Sequence, residues 1–188
     1  MGGRGAGYEI PEKGSGKGAA PSKKPFKDVT RSWKSRNYKP NVVTDPESVV
    51  LDGVEYKVDG DNVKIVPNKI EYEMAVLLSK ATGKQAIRGP EIVGIYKHVK
   101  CPDILLGDSF EKWDVKELHG QGKDALRARI RTEERQAHKF IIEVSKAKMD
   151  LNEVYRQAEN VFRAPNTEFV EALVIVKDGK IVRVLERN

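Results

Sequence analysis

Asp114-Val115-Lys116 is an acid-x-lysine triplet inside a stretch that reads as a β-strand. Strand side chains alternate between faces, so Asp114 and Lys116 project together and Val115 faces the other way. Asp103 follows Pro102 on the preceding apolar segment, and Gly107-Asp108-Ser109 lies between the two as a hairpin turn. Residues 103 and 114 are equidistant from that turn, which sets them opposite each other, with Cβ atoms ~4.5–5.5 Å apart. Two carboxylates that close repel unless a cation lies between them. A hard divalent ion with oxygen ligands resolves the conflict, Mg²⁺ first, with Mn²⁺ or Zn²⁺ as alternatives. Lys116 beside them can orient or deprotonate a water, or neutralise charge developing on a phosphate.

The triplet alone selects nothing. With 28 acids and 22 lysines in 188 residues, composition gives ~3 acid-x-Lys triplets. Three occur, at Glu55, Asp114 and Asp178. Only the middle one follows a Pro-Asp, and Pro102-Asp103 is the sole such pair in the chain.

The elements that must hold these residues follow from periodicity. Residues 1–45 are rich in Gly, Lys, Pro and Ser without an apolar repeat, which predicts a flexible basic linker. A nucleic-acid-binding arm is the other reading, with Tyr8, Trp33 and Tyr38 as its stacking side chains. Residues 46–66 alternate around Asp59-Gly60-Asp61-Asn62 and predict a β-hairpin. The catalytic domain is expected over 67–188. Asn68 caps a helix with Glu71 three residues on, and Ile70, Met74, Leu77, Leu78 and Ala81 share its apolar face up to Gly83. A helix over 124–138, a strand over 140–144, a helix from Asp150 to Phe162 and two strands around Asp178-Gly179 complete an α/β domain with a mixed sheet flanked by helices.

The bulk numbers limit function. Ten Lys/Arg and three acids fall in residues 1–40, and 24 Lys/Arg and 25 acids in 41–188, so the net charge of +6 belongs to the tail. A near-neutral body excludes a simple electrostatic nucleic-acid binder. One cysteine, Cys101, excludes an internal disulfide and a cysteine zinc cluster; it reads as a small buried hydrophobe. No apolar run approaches the ~20 residues of a membrane span, and the N-terminus lacks the apolar core of a secretory signal peptide.

A helix with an acid, then Pro102-Asp103, then Asp114-x-Lys116 eleven positions on, then a second helix, resembles the PD-(D/E)xK nuclease superfamily. Within it the chain is most similar to the CdiA-type C-terminal tRNA nuclease domain of contact-dependent inhibition and phage-borne polymorphic toxins. The stretches IEYEMAVLLSKATGK, CPDILLGDSFEKWDVKELHGQGKDAL and RQAHKFIIEVSKAK carry the likeness over residues 67–188. The resemblance implies a restriction-endonuclease-like core, with Asp103 and Asp114 as metal ligands, Lys116 as the catalytic lysine, and an acid from the first helix. That acid is Glu71, with Glu73 as the alternative: the first falls near Leu78 at one edge of the apolar face, the second at the other edge near Lys80. Two departures stand out, an Asp where Glu is commoner and Glu117 where a small hydroxyl residue often follows the lysine.

His119, Lys123, Arg127, Arg131 and Gln136 are candidate substrate contacts. Arg127, Arg131 and Arg135 recur at helical spacing, with a solvated charged face as the plainer reading; Gly120 and Gly122 allow close phosphate approach. The expected activity is hydrolysis of RNA, tRNA first, by a toxin carried on a larger parent polypeptide or delivery apparatus. It would act in the cytoplasm of a target cell and be held in check by a cognate immunity protein. A DNA endonuclease of the same fold and a non-enzymatic interaction module are the alternatives, separable by substrate and by metal dependence.

Overall fold

Asn68 starts the helix that faces the candidate site: its Oδ1 accepts from the backbone N–H of Ile70 and Glu71, and Gly83 closes the far end at φ 73°. The computed structural model describes residues 24–36, 38–39 and 42–188. In chain order these form β1 (Phe26–Asp28), α1 (Thr30–Ser35), β2 (Val43–Thr44), β3 (Ser48–Leu51), β4 (Val54–Lys57), β5 (Val63–Lys64), α2 (Lys69–Thr82), β6 (Ala86–Arg88), β7 (Glu91–Ile92), β8 (Ile104–Leu106), β9 (Glu111–Glu117), α3 (Ala125–Ile130), β10 (Lys139–Glu143), α4 (Leu151–Arg163), β11 (Ala172–Lys177) and β12 (Lys180–Arg187).

Eight strands make one mixed sheet in the order β1-β12-β11-β10-β9-β8-β6-β2. The central strands β9, β10 and β11 run parallel. Both faces of β10 and β11 are covered, which is why they read as unbroken apolar runs rather than alternating ones. The mixed α/β architecture expected from the sequence is the one observed, and it is consistent with an α/β nuclease-like fold.

The two faces carry different layers. Met74, Ala75 and Leu78 of α2 and Trp33 of α1 pack on Ile104, Trp113, Ile141 and Val174. On the opposite face, Leu126 and Ile130 of α3 and Val154, Ala158 and Phe162 of α4 cover Phe140, Ile142 and Leu173. A third, smaller cluster joins Val49 and Leu51 to Leu105 of β8, with Tyr56, Ile92 and Val99 around it.

The structure departs from expectation in three places. Residues 1–23, 37, 40 and 41 of the expected linker lie outside the described residues, but residues 24–36 belong to the fold. β1 pairs antiparallel with β12, Phe26 stacks 5.5 Å from Phe162, and Trp33 packs edge-on to Trp113 at 6.3 Å. Two isolated apolar side chains give no periodic signal, yet each is worth ~1.5–3 kcal/mol when buried, and β12 offers an unpaired edge. The early hairpin turns at Asp52-Gly53, not at residues 59–62. β3 pairs with β4, whereas β5 pairs with β7. Both turns carry Asp-Gly; at Asp52-Gly53 both φ values are positive (51° and 79°), the conformation of a two-residue hairpin turn. Asp59 instead folds its own loop, its Oδ1 accepting from the backbone of Asp61, Asn62 and Val63.

The third difference is the helix expected over 124–138, which ends at Ile130. Residues 131–137 turn back through bonds from Glu133 N to Ile130 O and from Gln136 N to Glu133 O. This buries Ala137 and delivers the chain to β10 within a few residues. A helix continued to 138 would have carried it ~20 Å in one direction.

Candidate functional site

β8 and β9 pair antiparallel with Ile104 opposite Trp113 and Leu106 opposite Glu111. Continued one step, that register sets Asp103 against Asp114. The Asp103 side chain confirms the approach, because its Oδ2 accepts from the Val115 N–H at 2.7 Å. Val115 and Trp113 point into the layer under α1 and α2, so Asp114 and Lys116 project to the other face, under the turn that follows α3.

Asp114 is fully buried. Gln136 Nε2 donates to its Oδ1 at 2.5 Å. Lys116 Nζ lies 2.6 Å from its Oδ2 and 3.9 Å from Glu133 Oε2. The contact to Oδ2 is an ion pair; among the described residues that oxygen and the Trp113 indole N–H are the two buried side-chain polar atoms without a well-aligned hydrogen bond. A buried carboxylate oxygen is costly unless a proton or a cation meets it, and the Lys116 ammonium does so.

The charges explain the strain. Burial pushes the Asp114 carboxyl up to about 8, with the neighbouring Asp103 adding to the shift against the opposing pull of Lys116. Asp103 is also raised, by burial first and by Glu71, while the bond from Val115 works the other way. A hydrogen bond between the two carboxyls favours the proton on Asp114 and the charge on Asp103. Glu71 is raised by its own burial and by Asp114, against a hydrogen bond from Asn68. Burial works against the Lys116 ammonium, but Asp114, Glu133 and Asp103 together raise its pKa above the ordinary lysine value, so it is charged at neutral pH.

The two candidate helix acids part company. Glu73 is exposed and pairs with Lys69 at 3.7 Å on the helix surface. Glu71 is half-buried, lines a cleft of about 320 Å³ together with Asp103 and Gln136, and acts electrostatically on both aspartates. Among the described residues no three carboxylate, imidazole or thiol groups already converge as a cation cage. Asp103 and Asp114 are a pair, and Glu71 stands further out.

Of the candidate substrate contacts, only Gln136 touches the aspartates. Arg127 pairs with Asp124 at 2.5 Å, His119 lies 3.5 Å from Glu117, and Lys123 gives its carbonyl to Arg156. Arg131 is exposed at the end of α3 and Arg135 lies beyond it, so the expected arginine strip does not form on one helix. None of these residues lines the cleft. Four others matter that the sequence did not single out. Glu133 holds Lys116 from the second side. Lys97 and Lys100 line the cleft mouth. Gly89 donates its N–H to the Asp103 carbonyl at 2.7 Å, and a Cβ there would sit 1.7 Å from the Pro102 carbonyl oxygen. The Arg88-Gly89-Pro90 run was the available signal for such a close approach.

The fold and site together define a mixed α/β protein with a buried aspartate pair and a charged lysine at the edge of a cleft. Residues 100–181 match the family model of the contact-dependent growth inhibition CdiA C-terminal domain. That segment is a little under half of the chain; it contains Asp103, Asp114, Lys116 and Gln136 and leaves Glu71 outside. Among solved structures, a chain of the CdiA-CT/CdiI toxin and immunity complex from Burkholderia pseudomallei is similar with a TM-score of 0.47 and 13% identity, over 78% of this chain and all of that one. No curated protein sequence matches the chain. Among the described residues, no helix is long and apolar enough to cross a membrane.

Proposed function

We propose that the chain is a toxin nuclease of the contact-dependent inhibition type, hydrolysing phosphodiester bonds in RNA, tRNA first, with a divalent metal. One observation carries the reading: the buried Asp103–Asp114 pair, facing a lysine that keeps its charge and lies against Asp114 Oδ2. The family match over the same residues supports it.

The donor set suits Mg²⁺ or Mn²⁺. Asp103 and Asp114 would hold the ion, with Glu71 further out, all hard oxygen donors, and Mg²⁺ is commonly held by one or two carboxylates with water and substrate phosphate completing its shell. Zn²⁺ fits less well, because Cys101, the thiol in the cleft, is pushed up to about 12 by burial and stays protonated. When bound, the metal polarises the phosphate and lowers the pKa of a bound water. Lys116, charged and held between Asp114 and Glu133, orients the attacking water and offsets charge on the phosphate in the transition state. Gln136, donating to Oδ1, fixes the Asp114 carboxylate, and a metal held by Asp114 would compete with Lys116 for Oδ2.

On this reading a larger parent polypeptide or delivery apparatus brings the domain to the cytoplasm of a target cell, and a cognate immunity protein neutralises it in the producer. The test is cleavage of total tRNA and of plasmid DNA with Mg²⁺ and with EDTA. Cleavage of tRNA that EDTA abolishes is expected, with Asp103→Ala and Lys116→Ala at least 100-fold slower. Full activity of either variant, or activity in EDTA, refutes the mechanism; nicking of DNA in preference to tRNA refutes the substrate.

A further inference from the structure

A cleft lined by Glu71, Glu91 and Asp103 repels a polyanion. An RNA strand reaches it only if cations stand at the mouth. The arginines expected to do this lie elsewhere, and the cations that line the cleft are Lys97 and Lys100. Both are exposed, and among the described residues neither ammonium has an ion-pair partner, whereas Arg88, Arg127, Lys84 and Lys139 are each held by a carboxylate.

Their placement is built. The chain from Gly94 makes a 3₁₀ turn, continued by the bond from Val99 N to Tyr96 O. Lys97 caps that turn and Lys100 follows it three residues on, and both line the same cleft. The turn is fastened at three points to the small module formed by residues 46–66. Val93 N–H donates to the Asn62 carbonyl at 2.7 Å. Gly94, at φ 62°, packs so close to Asn62 that a Cβ would lie 2.6 Å from its side-chain oxygen. Tyr96 meets Tyr56 edge-on at 5.2 Å. This gives the β3–β4 hairpin, otherwise unused by the site, a task.

Resting on the nuclease reading above, we propose that Lys97 and Lys100 form the phosphate-binding wall of the cleft, contacting the RNA backbone beside the scissile bond, and that the residue 46–66 module exists to hold them there. The wall supplies affinity rather than chemistry, since backbone contacts position a nucleic acid without reacting with it.

The test is binding of labelled tRNA to the full chain in EDTA, by fluorescence anisotropy over a range of salt, followed by steady-state cleavage in Mg²⁺. The Lys97→Ala/Lys100→Ala double variant should bind at least tenfold more weakly at low salt, and the slope of log affinity against log salt should fall by ~1.5–2. KM should rise with kcat held within about threefold. Lys97→Arg/Lys100→Arg should keep both charge and binding, and Arg127→Ala/Arg131→Ala should stay within about twofold of the parent. Parent-like binding by the alanine double variant overturns the proposal, as does an equal loss in the arginine variant, or a parent chain that binds RNA without salt dependence. Because binding is read without metal, failure of the parent to cleave in Mg²⁺ sinks the nuclease reading and leaves the lysine result distinct.

Discussion

Asp114 should make the metal-free protein lose stability as the pH rises. A carboxyl whose pKa is raised on folding binds its proton more tightly in the folded state, so its penalty is absent below the unfolded value of 3.8 and complete above about 8. The span between those values corresponds to ~6 kcal/mol at ~1.4 kcal/mol per tenfold change in proton affinity. Relaxation and water entry raise the effective dielectric around a buried charge and reduce the measurable part to ~2–4 kcal/mol. At ~2–4 °C per kcal/mol for a domain of this size, the melting temperature in EDTA should fall by roughly 5–15 °C between pH 5 and pH 8.5. The lower limit avoids Asp59 and Glu153, whose carboxyls are held down to about 2, by backbone hydrogen bonds and by Arg156 respectively; their stabilisation is lost only as the pH falls toward that range. Thermal melts of the parent and Asp114→Asn across the window decide the matter. The asparagine cannot ionise, so its curve should be flat by comparison, and Mg²⁺ should raise the parent's melting temperature more at pH 8 than at pH 5.5. A parent curve that parallels the Asp114→Asn curve would refute a buried, proton-sharing aspartate pair.

Two further substitutions test how the fold supports the site. Gly89→Ala places a methyl group 1.7 Å from the Pro102 carbonyl oxygen, so the Asp103 backbone must move; we expect a loss of ~1–3 kcal/mol and at least a tenfold fall in cleavage rate, read by melting and by tRNA assay, and parent-like values in both would show that the contact yields freely. Trp33→Ala removes the buried indole that docks α1 against Trp113; a loss of ~3–5 kcal/mol is expected, and a change under ~1 kcal/mol in a denaturant titration would mean that residues 24–36 contribute little to the folded domain.

Much of the site's geometry was readable because it is local to a hairpin. Turn position and strand alternation fix which residues oppose and which share a face, so Asp103, Asp114 and Lys116 could be set together from spacing. Asn68, Gly83 and the repeat between them likewise bound α2, since capping and periodicity are short-range. The choice between Glu71 and Glu73 was not readable. Both sit at edges of the same apolar stripe, and only the packing of α2 against the sheet turns one toward Asp103 and leaves the other to Lys69. The same limit explains the helix after the site. Residues 131–137 have adequate helix propensity, but the short path to β10 and the pairing of Gln136 with Asp114 favour a turn.

The sequence alone determined the pairing of the aspartates, the mixed α/β class and the placement of the excess positive charge in the first forty residues. The tertiary structure decided the rest: that Asp114 is buried deeply enough to hold a proton near neutral pH, that Phe26 and Trp33 belong to the core, and that Lys97 and Lys100 line the same cleft as Glu71 and Asp103. Those facts depend on contacts between segments far apart in the chain. Their energies come from burial and charge proximity, which no residue spacing encodes.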